Sequence, residues 1–85
     1  MPYIPPSSQA IRAFLKRNGL TGSQAARQGY LSGGQAVRKY TAPTKPHRMS
    51  GAVWFAWHAH QMLDDATLAR IEAAMVADAE DEGGT

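Results

Sequence analysis

Residues 20–41 read LTGSQAARQGYLSGGQAVRKYT, and the placing of their glycines and small polar residues decides the fold. Thr21 and Gln24 stand three apart. At that spacing a threonine hydroxyl caps a helix start while the glutamine reaches back to the cap's own N–H. A short helix is therefore predicted over about 22–28, stopping at Gly29, with Tyr30 and Leu31 as an apolar turn. Ser32 and Gln35 repeat the capping spacing and predict a next helix over 33–41, which Pro43 and Pro46 end.

Upstream, Ser7 or Ser8 caps a first helix reaching about Asn18, with Gly19 as its stop. Its apolar stripe is Ile11, Phe14 and Leu15. Gln9, Ala13, Lys16 and Arg17 lie opposite, and Arg12 flanks them. The opening MPYIPP carries three prolines and reads as an extended arm, residues 1–7. Downstream, residues 44–49 (TKPHRM) form a loop, and Ser50 caps a fourth helix over 51–63. That helix is apolar almost all round, which marks it as central to a core or an interface. Asp64 or Asp65 caps a fifth, with Leu68, Ile71 and Met75 on one stripe. The expected fold is all-α, a compact four- to five-helix domain over 8–77, followed by a flexible acidic tail over 78–85. No strand and no internal repeat is indicated.

Charge divides the chain. Residues 1–48 hold eight bases and no acid, whereas residues 49–85 hold one base, Arg70, against seven acids. The net +2 conceals this polarity, which suits a polyanionic partner on one side only. At 85 residues one thin core is expected, burying about 60% of the unfolded surface. The chain lacks cysteine, so disulfides and thiolate metal sites are excluded, and pairing of copies is the expected added support. No run resembles a signal peptide, and no apolar stretch approaches the roughly 20 residues that span a bilayer. A cytoplasmic location without membrane association is expected.

On the helix over 33–41, a wheel at about 100° per residue turns Val37 and Tyr40 inward and Gln35, Arg38 and Lys39 outward. The outward types are those that read base edges, Arg or Lys at guanine and Gln at adenine. Gly33 and Gly34 leave the first N–H groups of this helix open to a phosphate.

The run AIRAFLKRNGLTGSQAARQGYLSGGQAVRKY, residues 10–40, resembles the helix-turn-helix of small Xre/Cro-like phage regulators. Ala26 stands where such motifs place a small residue, Leu31-Ser32 resembles their turn, and Val37 with Tyr40 matches their buried pair. RMSGAVWFAWHAHQML, residues 48–63, looks like the aromatic helix completing many of these domains, including anti-CRISPR-associated repressors. The distance from Ala26 to Val37 is one residue longer than the family's, and Gln28-Gly29 replaces its Leu-Gly.

The resemblance implies a helix-turn-helix at about 21–41, with Thr21, Ser23, Gln24 and Arg27 clamping phosphates beside the base-reading Gln35, Arg38 and Lys39. Lys16, Arg17, Lys45 and Arg48 are candidate phosphate partners at longer range. The expected function is a phage-encoded, autoregulatory repressor binding an inverted-repeat DNA operator as a homodimer. Trp54, Trp57, Leu68, Ile71 and Met75 are expected at the dimer interface. The alternative is a protein-interaction module, such as a phage inhibitor of a host protein, acting through its acidic end.

Other chemistry finds little support. His58 and His60 stand two apart on a helix and cannot share a metal, which needs i, i+4 spacing, and His47 is alone in a loop. No phosphate-binding GxxxxGK[ST] loop and no nucleophile–base constellation exists. No catalysis, cofactor, metal or small-molecule ligand is expected.

Overall fold

Local capping sets four of the five helix starts. The computed structural model describes residues 3–83, with side chains through Glu80. Ser7 Oγ accepts from the Ala10 N–H at 3.1 Å and opens α1 (Ser8–Arg17). Thr21 Oγ1 accepts from the Gln24 N–H (3.2 Å), and Gln24 Oε1 accepts from the Thr21 N–H (3.0 Å), opening α2 (Gly22–Gln28). The next helix, α3 (Gly34–Thr41), departs from expectation. The Ser32–Gln35 box does not form; Gly33, in extended backbone, is the N-cap and supplies no side-chain bond. Ser50 Oγ opens α4 (Gly51–Met62) by accepting from the Val53 N–H at 3.3 Å. Asp64 Oδ1 does the same for α5 (Asp65–Gly83), taking the Thr67 N–H at 2.7 Å. Hydrogen bonds from the Thr67 side chain, then its backbone, hold the Asp64 carboxyl below the usual carboxylate range. Each such cap is worth about 1 kcal/mol.

The ends of α1 and α2 share one motif. Leu20 N–H bonds Leu15 O (2.9 Å), and Leu31 N–H bonds Ala26 O (2.8 Å), with a left-handed residue just before each donor. After α1 that residue is Gly19, at φ +64; after α2 it is Tyr30, at φ +57. The glycine of the second turn falls one place earlier for a steric reason. A Cβ on Gly29 would lie 2.7 Å from Trp57 Nε1 and 3.2 Å from Val53 Cγ1.

The core comprises Ile11 and Phe14 from α1, Ala25 and Ala26 from α2, Val37 from α3, Met49 from the loop and Trp57 from α4. Trp57 is wholly enclosed. Its ring stacks on Phe14 with centroids 5.7 Å apart, and its Nε1–H donates to Ala25 O at 2.9 Å. Leu15, Leu20, Leu31, Tyr40, Val53 and Trp54 pack around this centre. Burying a large apolar side chain of this kind contributes about 1.5–3 kcal/mol. Trp57 therefore has no surface to offer a partner, which corrects its expected place at an interface; Trp54, half-buried, keeps some.

None of these core residues comes from α5. From Ala69 to Glu80 every side chain of that helix is exposed. The stretch from Asp78, expected as a flexible tail, continues α5 to Gly83, and residues 84–85 lie outside the described residues. One polar junction ties α5 to the body: Tyr30 O–H donates to Glu72 Oε2 at 3.0 Å and sits 3.2 Å from His60 Nε2 on α4. The phenol has one proton and Glu72 receives it, so His60 meets the phenol oxygen as a donor. Partial burial first, then the Glu72 carboxylate, raises the Tyr30 pKa above its ordinary value. At the opposite end, the extended arm is pinned by Tyr3 O–H donating to Met49 O at 2.7 Å. Among the described residues there is no strand, and no helix is long and apolar enough to cross a membrane.

Candidate nucleic-acid interface

Val37 fixes the rotation of α3. It is 3% exposed and Tyr40 packs beside it, so the opposite side of the helix must face solvent. Gln35, Arg38 and Lys39 are all exposed there, as the helical wheel requires. Gln35 and Lys39 stand four apart and so share one stripe, flanked by Arg38.

The neighbouring elements frame that side. The starts of α2 and α3 lie so close that a Cβ added on Gly22 would be in van der Waals contact with the other helix, 3.7 Å from Gly34 Cα. Ser23 and Arg27 are exposed, one turn apart on α2. Thr21 and Gln24 are also exposed, but their oxygens are engaged in the capping box. What they retain for a phosphate is donors, the Thr21 O–H and the Gln24 amide N–H groups. The last turn of α3 is braced twice. Arg12 Nη1 donates to Thr41 O at 2.8 Å, and the loop after α3 returns to place the His47 N–H on Lys39 O at 2.8 Å.

Of the more distant bases, Lys16 and Lys45 are exposed, and Lys45 itself adopts a left-handed backbone, φ +50. Arg17 and Arg48 are exposed but partly occupied by aromatic faces. The Arg17 guanidinium lies 5.6 Å from the Phe14 ring centroid, and that of Arg48 lies 6.0 Å from Tyr3. Arg12 is the basic residue that sequence reasoning undervalued. Its 29-residue separation from Thr41 leaves no local signal that it would anchor the end of α3.

The electrostatics are one-sided. The exposed bases of α1, α2, α3 and the following loop meet no acid in their own half of the sequence, while the exposed acids Asp64, Asp65, Asp78 and Glu80 belong to the α5 end. The histidines do other work: His58 packs on Phe14 and Trp54, with centroids 4.8 and 4.5 Å away, and His60 joins Tyr30. Among the described residues, no three His, Cys, Asp or Glu side chains come together as metal ligands would. Compared with known proteins, the chain matches no family model, no curated protein and no solved structure.

Proposed function

We propose that this chain is a sequence-specific double-stranded DNA-binding protein that represses transcription by occupying its site. In this reading α2 and α3 act as a helix-turn-helix, with α3 in the major groove. Two copies bind an inverted repeat whose half-sites lie about 34–36 Å apart. One observation carries the proposal: Gln35, Arg38 and Lys39 stand exposed together on the face of α3 opposite Val37. The acid-free charge of residues 1–48 supports it, as does the resemblance of residues 10–40 to phage-type regulators. The same resemblance is what supports a phage origin and control of the protein's own promoter.

Arg38 would read a base, whereas Lys16 and Arg17 would meet phosphates. Arg38→Ala is expected to weaken binding to a selected duplex by about 1–3 kcal/mol and relax preference at one base position. Lys16→Ala is expected to weaken binding to every duplex alike and lower the salt slope by about one unit. Fluorescence anisotropy against selected and scrambled duplexes, repeated across salt concentrations, separates the two. Unchanged selectivity in the first variant would remove Arg38 from the reading.

A protein-interaction function at the acidic end is the second reading, favoured by the exposure of Asp78 and Glu80 on α5. Neutralising those two residues would then abolish function while Arg38→Ala left it intact.

A further inference from the structure

We propose that the apolar groove between α4 and α5 is where a second copy of this chain packs, each copy presenting the same face across a two-fold axis. This rests on the pairing of copies in the functional reading; it keeps Leu68, Ile71 and Met75 of the expected interface and puts Phe55 and Met62 in the place of Trp54 and Trp57. The groove measures about 280 Å³ and is walled by Ala56 and Ala59 from α4, by Leu63 just after it, and by Leu68, Ile71 and Met75 from α5. Phe55 stands at its lip 75% exposed, and Met62, two helical turns further along α4, is 80% exposed. Tyr30, 54% exposed, contributes to the lining from the α2–α3 turn.

Three observations point to a second copy as the occupant. The first is area. Phe55, Met62, Leu63, Ile71, Met75 and Tyr30 are each 39–80% exposed. At about 200 Å² per large side chain they expose on the order of 700 Å² together. That total approaches the about 800 Å² that each partner buries in a standard stable interface. The second is shape. Groove and protruding Phe55 belong to the same face, as a self-complementary interface requires. A void of about 150 Å³ already admits a benzene ring, so this groove has room for the other copy's Phe55. The third is the state of α5. Its 19 residues extend for about 28 Å, and from Ala69 to Glu80 each of them is exposed, Ile71 and Glu72 touching the body only through the groove wall and the Tyr30 hydroxyl. Packing on a partner, rather than helix propensity, is what stabilises such a helix in water.

The test uses the full chain without DNA, so its outcome is independent of the DNA-binding reading. Sedimentation equilibrium at tens of micromolar should find the wild type dimeric. Phe55→Glu and, separately, Met62→Lys should each raise the dimer dissociation constant at least 100-fold, with the far-UV circular dichroism unchanged. Both positions lie outside the core, so the folded monomer should survive. A monomeric wild type, or dimers that persist in both folded variants, would overturn the proposal. So would wild-type chains found alone but retained by a foreign helical protein that either substitution releases. A wild-type dimer lacking any preference among DNA duplexes would leave this interface standing and remove the repressor reading instead.

Discussion

The stretch from α1 to α4 and the helix α5 are both helical and both carry apolar stripes, yet only the first has an interior. Every core side chain lies at or before Trp57, whereas α5 exposes everything from Ala69 to Glu80. The contrast follows from the residues at the crossings. Ala25 and Ala26 are small enough for α3 and α4 to approach α2, and Gly29 lets the Trp57 indole reach the Ala25 carbonyl. The stripe of α5 meets no such complement within its own chain. Charge segregates along the same line, with an acid-free basic surface on the braced half and the acids on the uncovered helix. In the proposed DNA-binding reading, a rigid scaffold under the basic face serves base readout, because a loosely held helix loses geometric discrimination.

The sharpest way to break this contrast is to truncate one apolar side chain to alanine in each half. Trp57→Ala should cost about 3–5 kcal/mol, mostly from the cavity and lost contacts, because Ala25 O keeps the Gly29 N–H as a partner. Val76→Ala on α5, at a position 58% exposed, should stay within about 0.5 kcal/mol. Urea denaturation of both variants checks this, and comparable losses would show that α5 carries as much stability as the core.

A smaller effect is expected at the joint between α2 and α4. Gly29→Ala forces a methyl group to within 2.7 Å of Trp57 Nε1 and should cost about 1–3 kcal/mol by thermal denaturation. The same change at Gly33, where a Cβ would meet nothing within 4 Å, should cost less. Equal costs would mean that the close approach of α4 to α2 is not what demands the glycine.

The smallest effect belongs to the link between the halves. Tyr30→Phe removes the phenol's bonds to Glu72 and His60 and should cost about 0.5–1.5 kcal/mol. The phenol pKa is raised in the folded state, so its contribution is complete below about pH 10 and is lost as pH climbs through the higher folded value. Wild type should therefore lose part of its advantage over Tyr30→Phe in strongly alkaline melts. An advantage that did not change with pH would show that the hydroxyl bonds are not its source.

Helix boundaries were readable from sequence wherever the signal was local. Ser7, Thr21, Ser50 and Asp64 sit within three residues of the N–H groups they cap. Ser32 carries the same signal but is not used, because Gly33 supplies the extended N-cap of α3. The outward trio of α3 was legible because Val37 and Tyr40 fix its phase. Trp57 was misassigned because an all-round apolar helix does not say which side is inside. Phe55 and Met62 prove to be the exposed side, two and five residues away. The Tyr30 junction spans 30 and 42 residues, and no local pattern announces it.

Selection from a library of random double-stranded DNA tests the central claim most directly. The wild-type chain should enrich one inverted repeat with half-sites one helical turn apart or a multiple of that, and Arg38→Ala should degrade the consensus at one symmetric position in each half. Enrichment of no sequence, or an unchanged consensus with Gln35, Arg38 and Lys39 all replaced by Ala, would contradict the account.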